Sequence, residues 1–314
     1  MTQAAMAQTP RPALLVLEKD DHMLAIADPV AQKVVGRVPA GEDPHEIEAA
    51  SDGKFAYITN YGAFSVPQHT ISVVDLAAQK ALPAIDLGPL RAPHGITRAE
   101  DKFYFTAEGS KAIARLDPAT GRVDWLLGLG QDRTHMLAVG NNNAIFTSNV
   151  NSNTIAIIEP DPKADASGRH ISLIQVGKGP EGFDVSPDGR ELWAANSHEG
   201  TVSVIDVAAK QVTQSFSVST KMSNRLKFTL DGKMVLISDL GTGDLVIIDA
   251  AERREIKRLK VGDAAAGILI APDGDHAYVA APRDSSVAVV DIKTLSIVGR
   301  IETGRGPDGM AWVK

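Results

Sequence analysis

At 314 residues, with 44% hydrophobic and 23% charged side chains, the chain has the composition of a folded globular protein and a length that ordinarily implies two domains, unless it is built from repeats. A net charge of −7 argues against a nucleic-acid partner, and no run of about 18 apolar residues offers a membrane span. There is no cysteine, which excludes disulfides, thiolate metal ligands and a thiol nucleophile.

The first ten residues, Met1 to Pro10, carry no strand pattern and stand outside the expected fold. Ala5-Met6-Ala7 has the small-x-small form that closes a secretory signal, yet no charged or apolar region precedes it. Two readings follow: a signal remnant on a periplasmic or secreted protein, or an Ala-rich start to a cytoplasmic one.

From there one phrase repeats. Its clearest copy runs Pro180-Glu181-Gly182-Phe183-Asp184-Val185-Ser186-Pro187-Asp188-Gly189, then Glu191 to Asn196, Thr201 to Asp206 and Gln211 to Val218. Asp-Gly turns recur at Asp52-Gly53, Asp231-Gly232 and Asp273-Gly274, where glycine accepts the positive φ of a tight hairpin. A third strand ending in an acid recurs as Ile71–Asp75, Ile155–Glu159, Leu245–Asp249 and Val287–Asp291. First strands begin at His45, His94, His135, Glu181, Asn224, Ala266 and Asp308, in steps of 49, 41, 46, 43, 42 and 42 residues. Four strands at that spacing make one propeller blade. The seventh first strand has only Gly309 to Lys314 behind it, and three unclaimed strands lie at the front, Ala13–Glu18, His22–Ala27 and Val34–Val38. The expectation is therefore an all-β, seven-bladed β-propeller of four-stranded blades over residues 11–314, closed by pairing of the C-terminal strand with the N-terminal three. Closure removes the free sheet edges.

Tyr57-Ile58-Thr59-Asn60 is a close variant of the Tyr-Val-Thr-Asn signature, and Trp193-Ala194-Ala195-Asn196 is a looser copy at the same blade position. On these motifs the chain resembles the YVTN β-propellers over nearly its whole length. That resemblance implies the fold, and it spans lactonases, lyases, electron-transfer partners, DNA binders and passive scaffolds.

In a propeller the leading residue of each first strand meets the central channel at one mouth, beside the loops joining second to third strands. Six of the eight histidines fall on that face. Pro44-His45, Pro93-His94, Thr134-His135 and Pro180-Glu181 match position by position. Three imidazoles and a carboxylate converging there suit a divalent transition metal such as zinc or iron, so His45, His94, His135 and Glu181 are the expected ligands. Arg225 is either a clamp for an anionic ligand or a structural ion pair, and Asp308 is the expected base, with a fourth metal ligand or a partner to the ligands as its alternatives; both face a small anionic or carbonyl-bearing molecule. The corresponding function is a metal-dependent hydrolase or lyase of lactonase type, with oxygen chemistry open if the metal is iron, acting as a monomer; the competing one is a non-catalytic periplasmic binding or scaffold propeller using the same mouth. Tyr61, Glu108, Arg283, His69 and His198 read as surface positions, Lys19 to His22 as a solvated loop, and Asp161 to Gly168 as a flexible insertion of calcium-loop composition only.

Overall fold

The computed structural model describes residues 9–63, 65–140, 142–163 and 168–314. Within these, 28 strands form seven four-stranded antiparallel sheets. Three single 3-10 turns, Lys19–Asp21, Glu108–Ser110 and Pro282–Asp284, are the helical elements among the described residues. Blade 1 is the closing blade: Pro307–Val313 leads it, followed by Ala13–Glu18, Met23–Asp28 and Lys33–Pro39. Blades 2 to 7 are led by Pro44–Ala49, Pro93–Ala99, Thr134–Val139, Pro180–Val185, Ser223–Phe228 and Ile268–Ile270. The seven-bladed propeller expected from the repeat is thus the architecture found. The closure pairs Ala13 with Val313, Leu14 with Trp312, Leu15 with Ala311 and Val16 with Met310. Chain contacts begin slightly earlier than expected, since the Thr9 hydroxyl donates to Leu76 O; residues 1–8, and 164–167 of the calcium-like insertion, lie outside the described residues.

The core consists of seven apolar clusters, and each is shared by two neighbouring blades. This explains the strand patterns. Middle strands such as Thr154–Pro160 are buried on both faces, so they read as continuous Ile and Ala, whereas outer strands such as Arg122–Gly128 alternate.

A bulge recurs in the leading strands. In blade 2 the register jumps from Pro44↔Asn60 to Ile47↔Ile58, and blades 3 to 6 jump at the same place. Two residues, His45 and Glu46 in blade 2, then oppose one, which re-aims the bulged side chains toward the channel. The motif residue Thr59 ties this down: its hydroxyl accepts from Glu46 N at 3.2 Å and donates to His94 O at 2.6 Å in the next blade. Thr106 repeats the device, accepting from Gly95 N at 2.8 Å and donating to His135 O at 2.7 Å, and Ser148 does so for Met136 N and Glu181 O. Asn60 and Asn196, the last letter of the motif, each donate to two hydroxyls on the third strand. The glycine after a leading residue lets the next blade approach: a Cβ on Gly95 would sit 2.7 Å from His135 O. Thr106→Val should strand a buried amide and a buried carbonyl, costing roughly 1–3 kcal/mol. Urea unfolding that shows no loss would mean the hydroxyl relay holds nothing.

Candidate functional site at the channel mouth

Two rings of side chains surround one end of the channel. The inner ring is the set of leading residues, His45, His94, His135, Glu181, Asn224, Ala266 and Asp308. The outer ring is set at the end of the second strands: Lys19, Glu108 and Pro282 just after theirs, and Tyr61 near the end of the longer Phe55–Ala63. Lys19, Glu108 and Pro282 each open one of the 3-10 turns. The inner ring, with Lys19, Tyr61 and Pro282 of the outer one, lines a cavity of about 360 Å³.

The three histidines do meet. Ring centroids of His45 and His94 lie 4.5 Å apart, those of His94 and His135 3.8 Å apart, and Tyr61 packs on the first two at 4.7 and 5.4 Å. His94 and His135 are buried. Burial and the two neighbouring imidazoles hold His94 well below the ordinary histidine range. Burial, reinforced by the Lys19 ammonium, brings His45 down to about 3. Lys19 Nζ stands 3.0 Å from His45 Nε2 and 3.3 Å from Asp308 Oδ2. The expected solvated loop at Lys19 is therefore a wall of the site at its first residue. Asp20 also lines the cavity, while Asp21 stays at the rim, paired with Arg305.

His135 differs from the other two. Its Nδ1 bonds Glu108 Oε1, and its Nε2 lies 3.3 Å from Glu181 Oε1, an ion-pair distance outside hydrogen-bond geometry. Burial alone would depress this histidine, but the Glu108 and Glu181 carboxylates outweigh it and raise its pKa. Glu181 is brought down to about 2: burial opposes ionisation, and His135 with Arg133 and Arg225 overcomes it. Tyr61 OH donates to the second oxygen of Glu108 at 2.7 Å, which anchors that carboxylate.

Glu108 was expected at the surface, and the structure buries it under the next blade, where His135 and Arg133 of blade 4 approach it. Tyr61 is likewise part of the site. Arg283, bonded to Asp263 O, and the half-exposed His69 stay outside it. Among the described residues, one ligand atom each from His94, Glu108 and His135 lie within 4.8 Å of one another, close enough that the three could hold a metal ion. His45 falls outside that group, with its Nε2 facing Lys19, and Glu181 adjoins it through His135.

Arg225 enters the channel from blade 6 and pairs with Glu46 of blade 2, on the same bulge as His45. Its counter-ion is therefore Glu46, which sequence reading did not consider, rather than Glu181, Asp308 or a ligand. Burial works against the charge on Arg225, while Glu46, Asp308 and Glu181 raise its pKa further and keep it cationic. Asp308 is held below the carboxylate range; Lys19 and Arg225 overcome its burial, and its Oδ1 is buried with no hydrogen-bond partner among the described residues.

The family profile described as "Lactonase, 7-bladed beta-propeller" matches residues 104–305. The chain belongs to that lactonase propeller family. No curated protein matches it at the sequence level. Among solved structures, it is similar to a chain of Kuenenia stuttgartiensis hydrazine synthase (18% identity, TM-score 0.77, 94% of this chain and 100% of that one covered). The Pseudomonas aeruginosa periplasmic gluconolactonase PpgL resembles it as well (14%, TM-score 0.76, 96% and 99% covered). So does a functionally unknown protein from Desulfotomaculum acetoxidans (12%, TM-score 0.76, 96% and 98%). At these identities the likeness is one of fold. No helix among the described residues of this lactonase-family propeller is long and apolar enough to cross a membrane.

Proposed function

We propose that this propeller hydrolyses small lactones or related cyclic esters at the channel mouth, with a divalent metal held by His94, Glu108 and His135. The observation that carries the reading is the convergence of those three buried side chains beside a polar cavity that His94 and His135 line, with buried nitrogens of both histidines lacking hydrogen-bond partners. Two imidazoles and one carboxylate are a donor set suited to zinc or iron. When bound, such an ion polarises a carbonyl oxygen and lowers the pKa of a water.

The remaining roles belong to the chain. Asp308, ionised and with a free Oδ1, takes the proton from the attacking water. Addition to the carbonyl carbon is followed by cleavage of the ring C–O bond. Asp308 then returns the proton to the leaving oxygen, so that a hydroxy acid results. Lys19, partly exposed in the cavity wall, faces the negative charge of the substrate oxygen or the product carboxylate. Arg225, saturated by Glu46, sets the field and holds the channel rather than gripping the ligand. A periplasmic location is part of the same proposal, supported by the likeness to a neighbour that is periplasmic by name.

The test is acid release from a panel of γ- and δ-lactones, followed by pH-stat on protein purified without a histidine tag. Turnover should fall after chelation and return with a stoichiometric divalent ion, and Asp308→Asn should slow it with the metal retained. Full activity after chelation sinks the metal. Silence across the panel, with a ligand still bound at the mouth, favours the binding-protein alternative.

A further inference from the structure

Beside the mouth lies a second cavity, of about 220 Å³, which shares Tyr61 and Arg133 with the first. A local peculiarity of blade 2 builds it. Phe55–Ala63 and Val66–Asp75 run for nine and ten residues, whereas second and third strands elsewhere have five to seven. The two strands stay paired out to Ala63↔Val66, so the hairpin stands above the mouth as a wall. It is braced on both sides: Tyr61 N donates to Asp43 O at 3.1 Å, and Ala92 N donates to Gln68 O at 2.8 Å.

The side of the wall that faces blade 3 presents Tyr61, Ala63 and Pro67 toward Ala92 and Gly109, which forms an apolar trough. The charges at its edge already have opposite neighbours, Lys111 near Asp132 at 3.9 Å and Arg133 near Glu108 at 3.8 Å. A ligand group entering along the hairpin side therefore meets hydrocarbon and an aromatic ring, while the opposite side carries Glu108, Lys111, Asp132, Arg133 and Asn151, whose charges are paired with one another. Against the hairpin side a polyhydroxylated group would lose water without enough partners, whereas an alkyl chain would lose nothing.

We infer that this trough is the subsite for an alkyl substituent, so that the substrate is an alkyl-substituted lactone whose ring lies in the polar mouth and whose tail runs over Tyr61 toward Pro67 and Ala92. The inference rests on the lactone reading and narrows it. At about 30 Å³ per water-sized group, the trough takes a tail of roughly six or seven carbons.

The experiment is a series from γ-butyrolactone to γ-dodecalactone, followed both as kcat/KM and as binding by calorimetry, with D-glucono-δ-lactone as the polar comparison. Each added methylene should raise both readouts about threefold to fourfold until the trough is full, after which the gain stops. Ala63→Trp narrows the trough at an exposed position, away from the core, and should flatten the series. A flat series in the natural protein, or a preference for the glucono-lactone, overturns the alkyl subsite and leaves lactone hydrolysis standing. If no lactone is turned over, the hydrolase reading fails, and the chain-length dependence of binding still decides the subsite: a rise that Ala63→Trp abolishes upholds it, and its absence removes it.

Discussion

His135→Ala should lose bound metal and turnover together, each by about a hundredfold or more, while His170→Ala and His276→Ala should change neither. The effect is large because His135 is at once a member of the His94–Glu108–His135 group and the partner of two carboxylates. Its removal leaves Glu108 and Glu181 facing a buried space without their cation, so thermal stability should drop as well. His135→Gln, which keeps one donor, separates the two losses: stability should recover in part and metal should not. His45→Ala is the discriminating control. Its imidazole stands outside the group with Lys19 at its Nε2, so metal content should fall far less than in His94→Ala. Equal losses in those two variants would place the ion among the three inner-ring imidazoles instead, as the sequence spacing alone suggests.

The same residue sets the pH response. His135 is raised, so the stability it contributes is complete below the ordinary histidine value of about 6.5 and is lost as pH climbs through its higher folded value. Glu181 is depressed to about 2, so its contribution is present above the ordinary glutamate value and is lost as pH falls through about 2. Metal binding requires the neutral imidazole and competes with that proton, so affinity should rise with pH up to the folded pKa of His135, by roughly tenfold per unit for one proton released.

Much of this was legible in the chain. Asp-Gly turns and acid-terminated third strands mark blades because hairpin geometry leaves few alternatives at those positions. The matching blade position of Pro44-His45, Pro93-His94 and Thr134-His135 then places three imidazoles at one mouth. What stayed hidden are the partners that arrive from elsewhere. Glu108 and Lys19 each follow a second strand in stretches of polar residues, Glu108-Gly109-Ser110-Lys111 and Lys19-Asp20-Asp21, that read as ordinary loops. Their inward aim comes from the 3-10 turn each one opens and from the approach of the next blade or of the C-terminal strand. Glu46 was overlooked because strict alternation along Pro44–Ala49 sends only one of His45 and Glu46 inward. The bulge opposite Thr59 removes that constraint, and both residues reach the channel groups, His45 beside Lys19 and Glu46 on Arg225. The recurring Thr or Ser at the motif's third position is the available signal for such a bulge.

Deletion of residues 307–314 should abolish cooperative folding of the whole ring rather than loosen one blade. Ala13–Glu18 is buried along its entire length, and the deleted strand is its partner on the channel side. Ala311 and Val313 also belong to the cluster shared with blade 2, while Met310 and Trp312 pack on the cluster shared with blade 7. The loss therefore strikes two interfaces at once and exposes one edge of a strand with no polar face. Leu14, Leu15, Val16 and Leu17 are all fully buried, and at about 1.5–3 kcal/mol for each large apolar side chain their partial exposure is comparable to an entire folding free energy of about 5–15 kcal/mol. Nearest-neighbour coupling then carries the damage around the ring, since every remaining blade keeps its own hairpins but loses a closed set of interfaces. A second protein separates closure from mere loss of residues. Because Val313 pairs with Ala13, a short linker can join Lys314 to Thr9 and deliver residues 307–314 ahead of blade 1 in a circular permutant that ends at Glu302. That permutant should recover a single sharp unfolding transition near the natural midpoint. A deletion variant that melts as the natural protein does would show that the ring is held without its closing strand. A permutant as unfolded as the deletion would show that the covalent order of the strands, and not their pairing, maintains the ring.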